Sequence, residues 1–305
     1  MKKIMKTLSV ISLSTVVFSL AGNSFTLAQS SLSEQANQNS KGDQISQEGI
    51  DKEVAHQSKT RPVAEALAAI EETRLAKDFL TKNNSRQAKQ ALERALGKID
   101  VLLANNPTAG LVPISIDVRI VDTKIDDATL KRITDEVKAQ VLLGRYQRAK
   151  LLLTDLASEM EIETVNLPLA TYPSAIRAAA GLVDKEKLAE AKTLLLAALH
   201  SLAIVETAIP LPVIRAQAIV DEVALQTKEN KIDKSQAVQL LTEADQQLTW
   251  ADKLGYGSAN EDFKSLHASI KQLKEKFNSN GEPKGLLAEV KNELELLRQK
   301  IVSKL

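Results

Sequence analysis

From position 62 onward, apolar residues in this chain recur every three or four positions and are interrupted at intervals by proline. Side chains at that spacing share one face of an α-helix, whereas proline cannot continue a helix because it lacks the backbone N–H. The alanine–lysine pairs at Ala88, Ala149 and Ala191 each open an apolar helical segment, and a proline stands 19 residues after each alanine, at Pro107, Pro168 and Pro210. The pattern predicts a repeated helix that ends at a proline turn. The alternative is a chance similarity among alanine-rich helices.

Strand signals lie only between these helices. Ile114, Ile116, Val118 and Ile120 alternate with polar residues, which is typical of a half-buried strand. A second β-branched segment runs over residues 160–166. Because two strands alone are marginally stable, they must pack against the helices. The sequence therefore predicts a mainly α, multi-helix fold with a minor two-stranded β element.

The last part of the chain, residues 258–305, predicts a C-terminal helical hairpin. Its apolar residues form two seams with strict three–four spacing: Phe263, Leu266, Ile270, Leu273 and Phe277, then Leu287, Val290, Leu294, Leu297 and Ile301. A short segment with Gly and Pro separates the seams, as expected for a turn between two helices. We expect the seams to pack within the chain, and oligomerisation through them is the alternative.

The first 28 residues have the organisation of a secretory signal. Three lysines precede an apolar stretch over residues 8–20, and cleavage is expected after Ala28. That stretch is shorter than the roughly 20 residues a membrane-spanning helix needs, so no integral span is expected after cleavage. Retention as an anchor is the alternative. The mature protein is expected in the periplasm or outside the cell.

The segment that follows is different in composition. Residues 29–60 are rich in Ser, Gln, Asn and charge, and they predict a disordered tether because little apolar surface is available to offset ordering. His56 is expected to be solvated there. The helical domain is expected over residues 61–257.

Composition excludes several kinds of chemistry. The chain has no Cys, which excludes disulfides, thiolate nucleophiles and Cys-ligated metals. Its three histidines are far apart, and His200 lies in an apolar run that favours a core position. Nucleic-acid binding needs a surplus of basic residues, whereas the formal net charge is only +1. Nucleotide-binding and hydrolase motifs are absent from the sequence, so we expect no enzymatic activity, no metal and no cofactor.

Two proline-rich turns, residues 167–173 and 209–215, are the unusual chemical feature. They combine rigid backbone with aromatic surface that is scarce in a chain with only 3% aromatic residues. Aromatic side chains commonly form the walls of ligand grooves. The candidate ligand-binding residues are Tyr172, Pro173, Pro210, Pro212, Arg215, Trp250 and Tyr256. The alternative is that the turns only fix helix crossings.

The same segments, in this order, resemble the YfdX family of exported bacterial proteins. The resemblance is carried by ETRLAKDFL (72–80), ALERALGKIDVLL (91–103), LVPISIDVRIVD (111–122), LPLATYP (167–173), ETAIPLPVIRAQA (206–218) and LGYG (254–257). It implies a helical, oligomeric periplasmic protein linked with acid and envelope stress, with antibiotic binding suggested for members and no established enzymatic activity.

The sequence and the resemblance together lead to one expectation of function. We expect a non-enzymatic binding protein that associates with itself and binds a protein or a small amphipathic molecule. A purely structural helical scaffold for envelope proteins, without a small-molecule site, is the alternative.

Overall fold

A computed structural model describes residues 29–58, 63–105, 107–257, 260–279 and 281–302. The signal-like first 28 residues lie outside this part of the chain. Its helices are α1 (Gln29–Gln57), α2 (Ala64–Thr81), α3 (Ser85–Asn105), α4 (Asp127–Leu142), α5 (Tyr146–Thr154), α6 (Tyr172–Asp184), α7 (Leu188–His200), α8 (Leu211–Lys228), α9 (Lys234–Lys253), α10 (Asn260–Asn278) and α11 (Lys284–Val302). Its strands are β1 (Leu111–Asp122), β2 (Ser158–Pro168) and β3 (Ala203–Pro210). The chain divides into two compact units, residues 1–41 and 42–305.

The repeated unit is a helical hairpin followed by a strand. The hairpins α2–α3, α4–α5 and α6–α7 precede β1, β2 and β3. A residue with positive φ stands at each hairpin turn: Asn83 (55°), Gly144 (69°) and Glu186 (56°). A left-handed residue at this position is a common way to end a helix. The proline turn expected after each second helix is therefore replaced by a strand, with Pro168 and Pro210 as the last residues of β2 and β3.

The three strands form one antiparallel sheet in the order β1-β2-β3. The prediction of two strands was wrong by one, because β3 was not predicted from the sequence. The reason is local: α7 and β3 lie in one nearly continuous apolar run, from Leu194 to Ile209, in which helix and strand periods cannot be separated. Antiparallel sheets commonly have one packed and one open face, and this sheet does.

Two helical cores account for most of the burial. The first is built from α2, α3, α6 and α7, and the second from α8 to α11. All ten residues of the two C-terminal seams are buried in the second core. The expected C-terminal hairpin is thus confirmed, and its seams are occupied within the chain.

The segment expected as a tether is helical where the structure describes it. Within residues 42–58, α1 presents the small residues Gly42, Ser46 and Gly49 beside the buried Ile50. A Cβ atom on Gly49 would lie 2.4 Å from the Ala218 Cβ atom, so only glycine permits this approach of α1 to α8. A helix that packs through small residues has low mean hydropathy, which explains why composition indicated disorder.

His200 is exposed, contrary to its expected core position. It ends α7, which packs through Ala191, Leu195 and Ala198, and His200 lies off that face. Among the described residues, none of the helices is long and apolar enough to cross a membrane.

Candidate functional site

A groove of about 370 Å³ lies on the packed face of the sheet. Its floor is apolar because alternate residues of the three strands, among them Ile116, Ile162 and Ile209, point to the same face. Helices α1 and α11 contribute the side chains of Gln57, Glu295, Arg298, Gln299 and Val302. Thr164 and Thr207 complete the lining.

One ion pair joins the two helices at the rim. Arg298 of α11 donates to both carboxylate oxygens of Glu53 on α1, and its Nη1–Oε2 distance is 3.0 Å. The two side chains are only 18% and 12% exposed. Burial acts to raise the pKa of Glu53, but hydrogen bonds from Gln57 and Arg298 and the positive charge of Arg298 outweigh it and lower the pKa. Glu53 is therefore held as a carboxylate.

The chemistry of the groove is that of a small amphipathic site. Pockets for small molecules commonly have a volume of roughly 300–1,000 Å³, an apolar lining and a few polar groups that fix orientation. Here the isoleucines provide the apolar surface, and the amides of Gln57 and Gln299 provide donors and acceptors at the rim. Within the described ranges, no group of His, Asp or Glu side chains has the arrangement of a metal site.

A second polar cluster lies where β1 ends and β2 begins. Arg215 of α8 donates to Asp122 at 2.7 Å, and the Ser158 hydroxyl donates to the same carboxylate at 3.0 Å. The Tyr256 hydroxyl accepts a hydrogen bond from the Ser158 N–H at 2.8 Å. Burial acts to raise the pKa of Asp122, yet the bond and charge of Arg215 lower it overall. Every functional group in this cluster is engaged with another, so it fastens the sheet to α8.

The neighbouring Glu159 behaves in the opposite way. Burial raises its pKa, and the hydrogen bond with Tyr256 only partly opposes that effect. Burial also raises the pKa of the Tyr256 hydroxyl. Both groups therefore favour their neutral forms more than exposed ones would.

The structure separates the seven residues singled out from the sequence. Arg215 and Tyr256 belong to the second polar cluster, with Pro210 and Pro212 beside them in the chain. Trp250 packs with Leu254 against the base of α4–α5. Tyr172 and Pro173 are buried at the start of α6, in the first core. Burial raises the pKa of Tyr172 to about 12. None of the seven lines the groove, although Ile209, in the second proline-rich turn, does.

Sequence reasoning missed the rim of the groove. Glu53 and Arg298 are 245 positions apart, and neither belongs to a motif or an unusual stretch. A charged residue on an amphipathic helix is ordinarily solvated, so nothing in the sequence distinguishes this buried pair from its neighbours. The apolar alternation of β1 is the one signal that pointed to the floor.

Comparison with known proteins bears on the same region. The family model described as YfdX protein matches residues 69–208. A solved structure of YfdX from Salmonella Typhi is 12% identical and covers 49% of this chain and 93% of that chain, with a TM-score of 0.34. No curated protein matches the chain. The resemblance found in the sequence is thereby confirmed: residues 69–208, from α2 to β3, match the YfdX family model.

Proposed function

We propose that this protein is an exported, non-enzymatic binding protein of the YfdX type that acts in the cell envelope under stress, including acid stress. It associates with itself and holds a small amphipathic molecule in the groove between the sheet and helices α1 and α11. The observation that carries the proposal is the groove itself, in which an apolar floor meets a rim with a fixed guanidinium and two amides.

Each part of such a ligand contacts a different set of groove residues. Its apolar body lies on Ile116, Ile162 and Ile209 and gains about 25 cal/mol for each Å² removed from water. Its polar end faces Gln57 and Gln299, whose amides can donate or accept. Because Arg298 is already paired with Glu53, the site favours a neutral or weakly anionic head group.

Filling the groove tests this function. A Thr207→Trp variant of the mature chain places an indole over the apolar floor, and we expect it to weaken binding of the neutral amphipathic probe N-phenyl-1-naphthylamine at least tenfold. Thr193→Trp, on an exposed position of α7, is the matched control and should bind as the wild type does. Probe fluorescence titrations measure the affinity.

The probe also binds exposed apolar surface, so a second control is needed. Leu142→Ser removes the most exposed leucine of the described chain, far from any lining residue of the groove, and should leave the high-affinity site unchanged. Equal affinities of wild type and Thr207→Trp, with both folded by circular dichroism, would reject the groove.

The alternative function is a scaffold for envelope proteins without a small-molecule site. It is favoured by the concentration of exposed leucines on α4–α5, because large exposed apolar patches mark interaction surfaces. A wild-type chain that shows no saturable probe binding, but copurifies in fixed stoichiometry with an envelope protein, would favour the scaffold.

A further inference from the structure

The hairpin α4–α5, here called the arm, differs from the other helical hairpins of the described chain. The hairpins α2–α3 and α6–α7 share one core, and α8–α9 and α10–α11 share another. The arm has only a small core of its own, in which Leu130, Ile133, Leu152 and Leu156 meet Trp250 and Leu254 at its base. Beyond that base, α4 and α5 pack mainly on each other.

The far end of the arm, residues 138–153, is here called the arm tip. It carries an unusual density of exposed apolar side chains: Val141, Leu142, Leu143, Tyr146, Leu151 and Leu153. Leu142 is 87% exposed and Tyr146 is 66% exposed. Single exposed leucines are ordinary, but a contiguous group of this kind marks a surface that another molecule covers.

The arm tip is also basic. Residues 138–150 include Lys138, Arg145, Arg148 and Lys150 and no acidic residue. Lys138 and Arg148 reach back to Asp135 and Glu136 on α4, at 3.8 and 3.6 Å. Within the described part of the chain, Arg145 and Lys150 make no ion pair.

The open face of the sheet has the opposite charge and is here called the acidic face. Asp117, Glu163 and Glu206 stand directly opposite one another on the three strands. Like charges in directly opposed positions destabilise a sheet. The adjacent row holds Arg119, which pairs with Glu161 and also lies within electrostatic range of Asp117 and Glu163. One arginine beside four carboxylates leaves the face with a negative net charge.

The acidic face has room for side chains. A depression of about 420 Å³ is lined by five carboxylates and one cation, together with Ile162, Thr207 and Ala208; the charged residues are Asp117, Glu159, Glu161, Glu163, Glu206 and Arg119. Ile204, which shares this face with Glu206 on β3, is 61% exposed. The face therefore offers apolar contacts beside its negative charge, as the arm tip offers apolar contacts beside its positive charge.

We propose that the arm tip of one copy of this chain docks on the acidic face of a second copy, and that a two-fold axis makes the contact reciprocal. The inference rests on the self-association in the proposed function and assigns its surfaces. A tip-to-tip contact would bring like charges together, whereas tip-to-face contact pairs opposite charges. Each copy uses both surfaces once, so the assembly closes at two copies. The 16 residues of α4 give the tip a reach of about 24 Å.

A charge exchange between two variants tests the contact. The arm variant, Lys138→Glu with Arg145→Glu and Lys150→Glu, has an acidic tip and an acidic face; the face variant, Glu163→Lys with Glu206→Lys, has a basic tip and a basic face. Each variant alone opposes like charges at both contacts, so we expect its dimer dissociation constant to rise at least tenfold. An equimolar mixture pairs opposite charges at both contacts and should restore a dimer. Sedimentation velocity on the mature full-length chain measures the masses.

The apolar part of the contact is tested by a second double variant and a matched control. Leu142→Ser with Leu143→Ser should dissociate the dimer, whereas Leu67→Ser with Leu75→Ser, on exposed positions of α2, should not. All substituted positions are exposed, and circular dichroism confirms that each variant keeps its helices.

Three results would overturn the inference. A dimer that survives both charge variants would place the interface elsewhere, and a mixture that stays monomeric would show that tip and face do not meet. Flotation with phosphatidylglycerol vesicles that is lost in the arm variant, with an unchanged protein mass, would make the tip a lipid anchor. A monomeric wild-type chain would remove the proposed self-association as well, while leaving ligand binding in the groove testable by itself.

Discussion

A half-buried ion pair between Glu53 and Arg298 joins α1 to α11 at the rim of the groove. Glu53 and Arg298 each keep less than a fifth of their side-chain surface exposed. Taking two charges out of water is costly, and a bidentate geometry is what offsets that cost. The pair is therefore better understood as fixing the position of α11 over the sheet than as a source of stability.

Removal of one partner should be far worse than removal of both. Arg298→Ala leaves the Glu53 carboxylate buried without its cation, and we expect a loss of about 3 kcal/mol in the free energy of unfolding, measured by urea denaturation at pH 7. The double variant Glu53→Gln with Arg298→Gln should lose less, because no uncompensated charge remains. Equal losses in the two proteins would contradict this account of the pair.

At the residue scale, the sequence allowed unusual single side chains to be selected, but it did not show which side chains lie together in the fold. Scarcity made Tyr172 and Trp250 conspicuous, yet scarce aromatic residues are also the largest groups available to fill a core, and Tyr172 does so. Within the proline-rich segment 209–215, Arg215 ties α8 to Asp122. The polar rim was not predictable, because its partners meet only through the complete tertiary fold.

Two glycines in helices, Gly49 and Gly97, differ in whether the packing of their helix requires glycine. Gly49 of α1 lies where a Cβ atom would stand 2.4 Å from Ala218, whereas Gly97 of α3 has open space at the same position. Glycine in a helix costs about 0.5–1 kcal/mol relative to alanine, so a structural reason is expected where it is kept. Only Gly49 has one.

Alanine substitutions should separate the two cases. Gly97→Ala should raise the free energy of unfolding by about 0.5–1 kcal/mol through helix propensity alone. Gly49→Ala should lower it by about 1–3 kcal/mol, because the added methyl forces α1 away from α8. Adding Ala218→Gly to Gly49→Ala should recover much of the loss. A stabilised Gly49→Ala protein would mean that α1 does not pack this closely.

Periodicity predicted elements well where each has one exposed face. The alternation of β1 and the seams of α10 and α11 were visible because polar residues separate their apolar ones. Periodicity did not predict β3, which continues the apolar run of α7, or α1, which packs through glycine and serine. Both failures have the same physical cause. Periodicity reveals an element only when its two faces differ in polarity, and the faces of β3 and α1 differ little.

The response of the whole molecule to acid follows from a few carboxylates. The folded-state pKa values of Asp122 and Glu53 are lowered, so their stabilisation is present above the unfolded pKa and is lost as the pH falls through the folded pKa. Glu159 and Glu243 have raised pKa values because of burial, so their protonation favours the folded state and partly offsets that loss.

Asp122→Asn should therefore change the free energy of unfolding at pH 7 and also the way in which that free energy varies with pH. We expect the variant to be less stable than the wild type at pH 7 and to lose less stability between pH 5 and pH 3, since one linked carboxylate is gone. Asp155→Asn, at an exposed position, should follow the wild-type profile. Parallel profiles for wild type and Asp122→Asn, from urea denaturation at each pH, would exclude Asp122 as a contributor to acid sensitivity.

The Glu53–Arg298 contact joins helices from opposite ends of the chain, 245 positions apart. Contacts of such long range form late, because most of the chain must be present and ordered before they can close. Synthesis begins at the N-terminus, so the sheet and the first core, built from α2, α3, α6 and α7, can assemble before α11 leaves the ribosome, whereas the second core needs α11 itself. The groove between the sheet, α1 and α11 therefore forms only after α11 has been released, and a chain that is still being synthesised up to α11 lacks it.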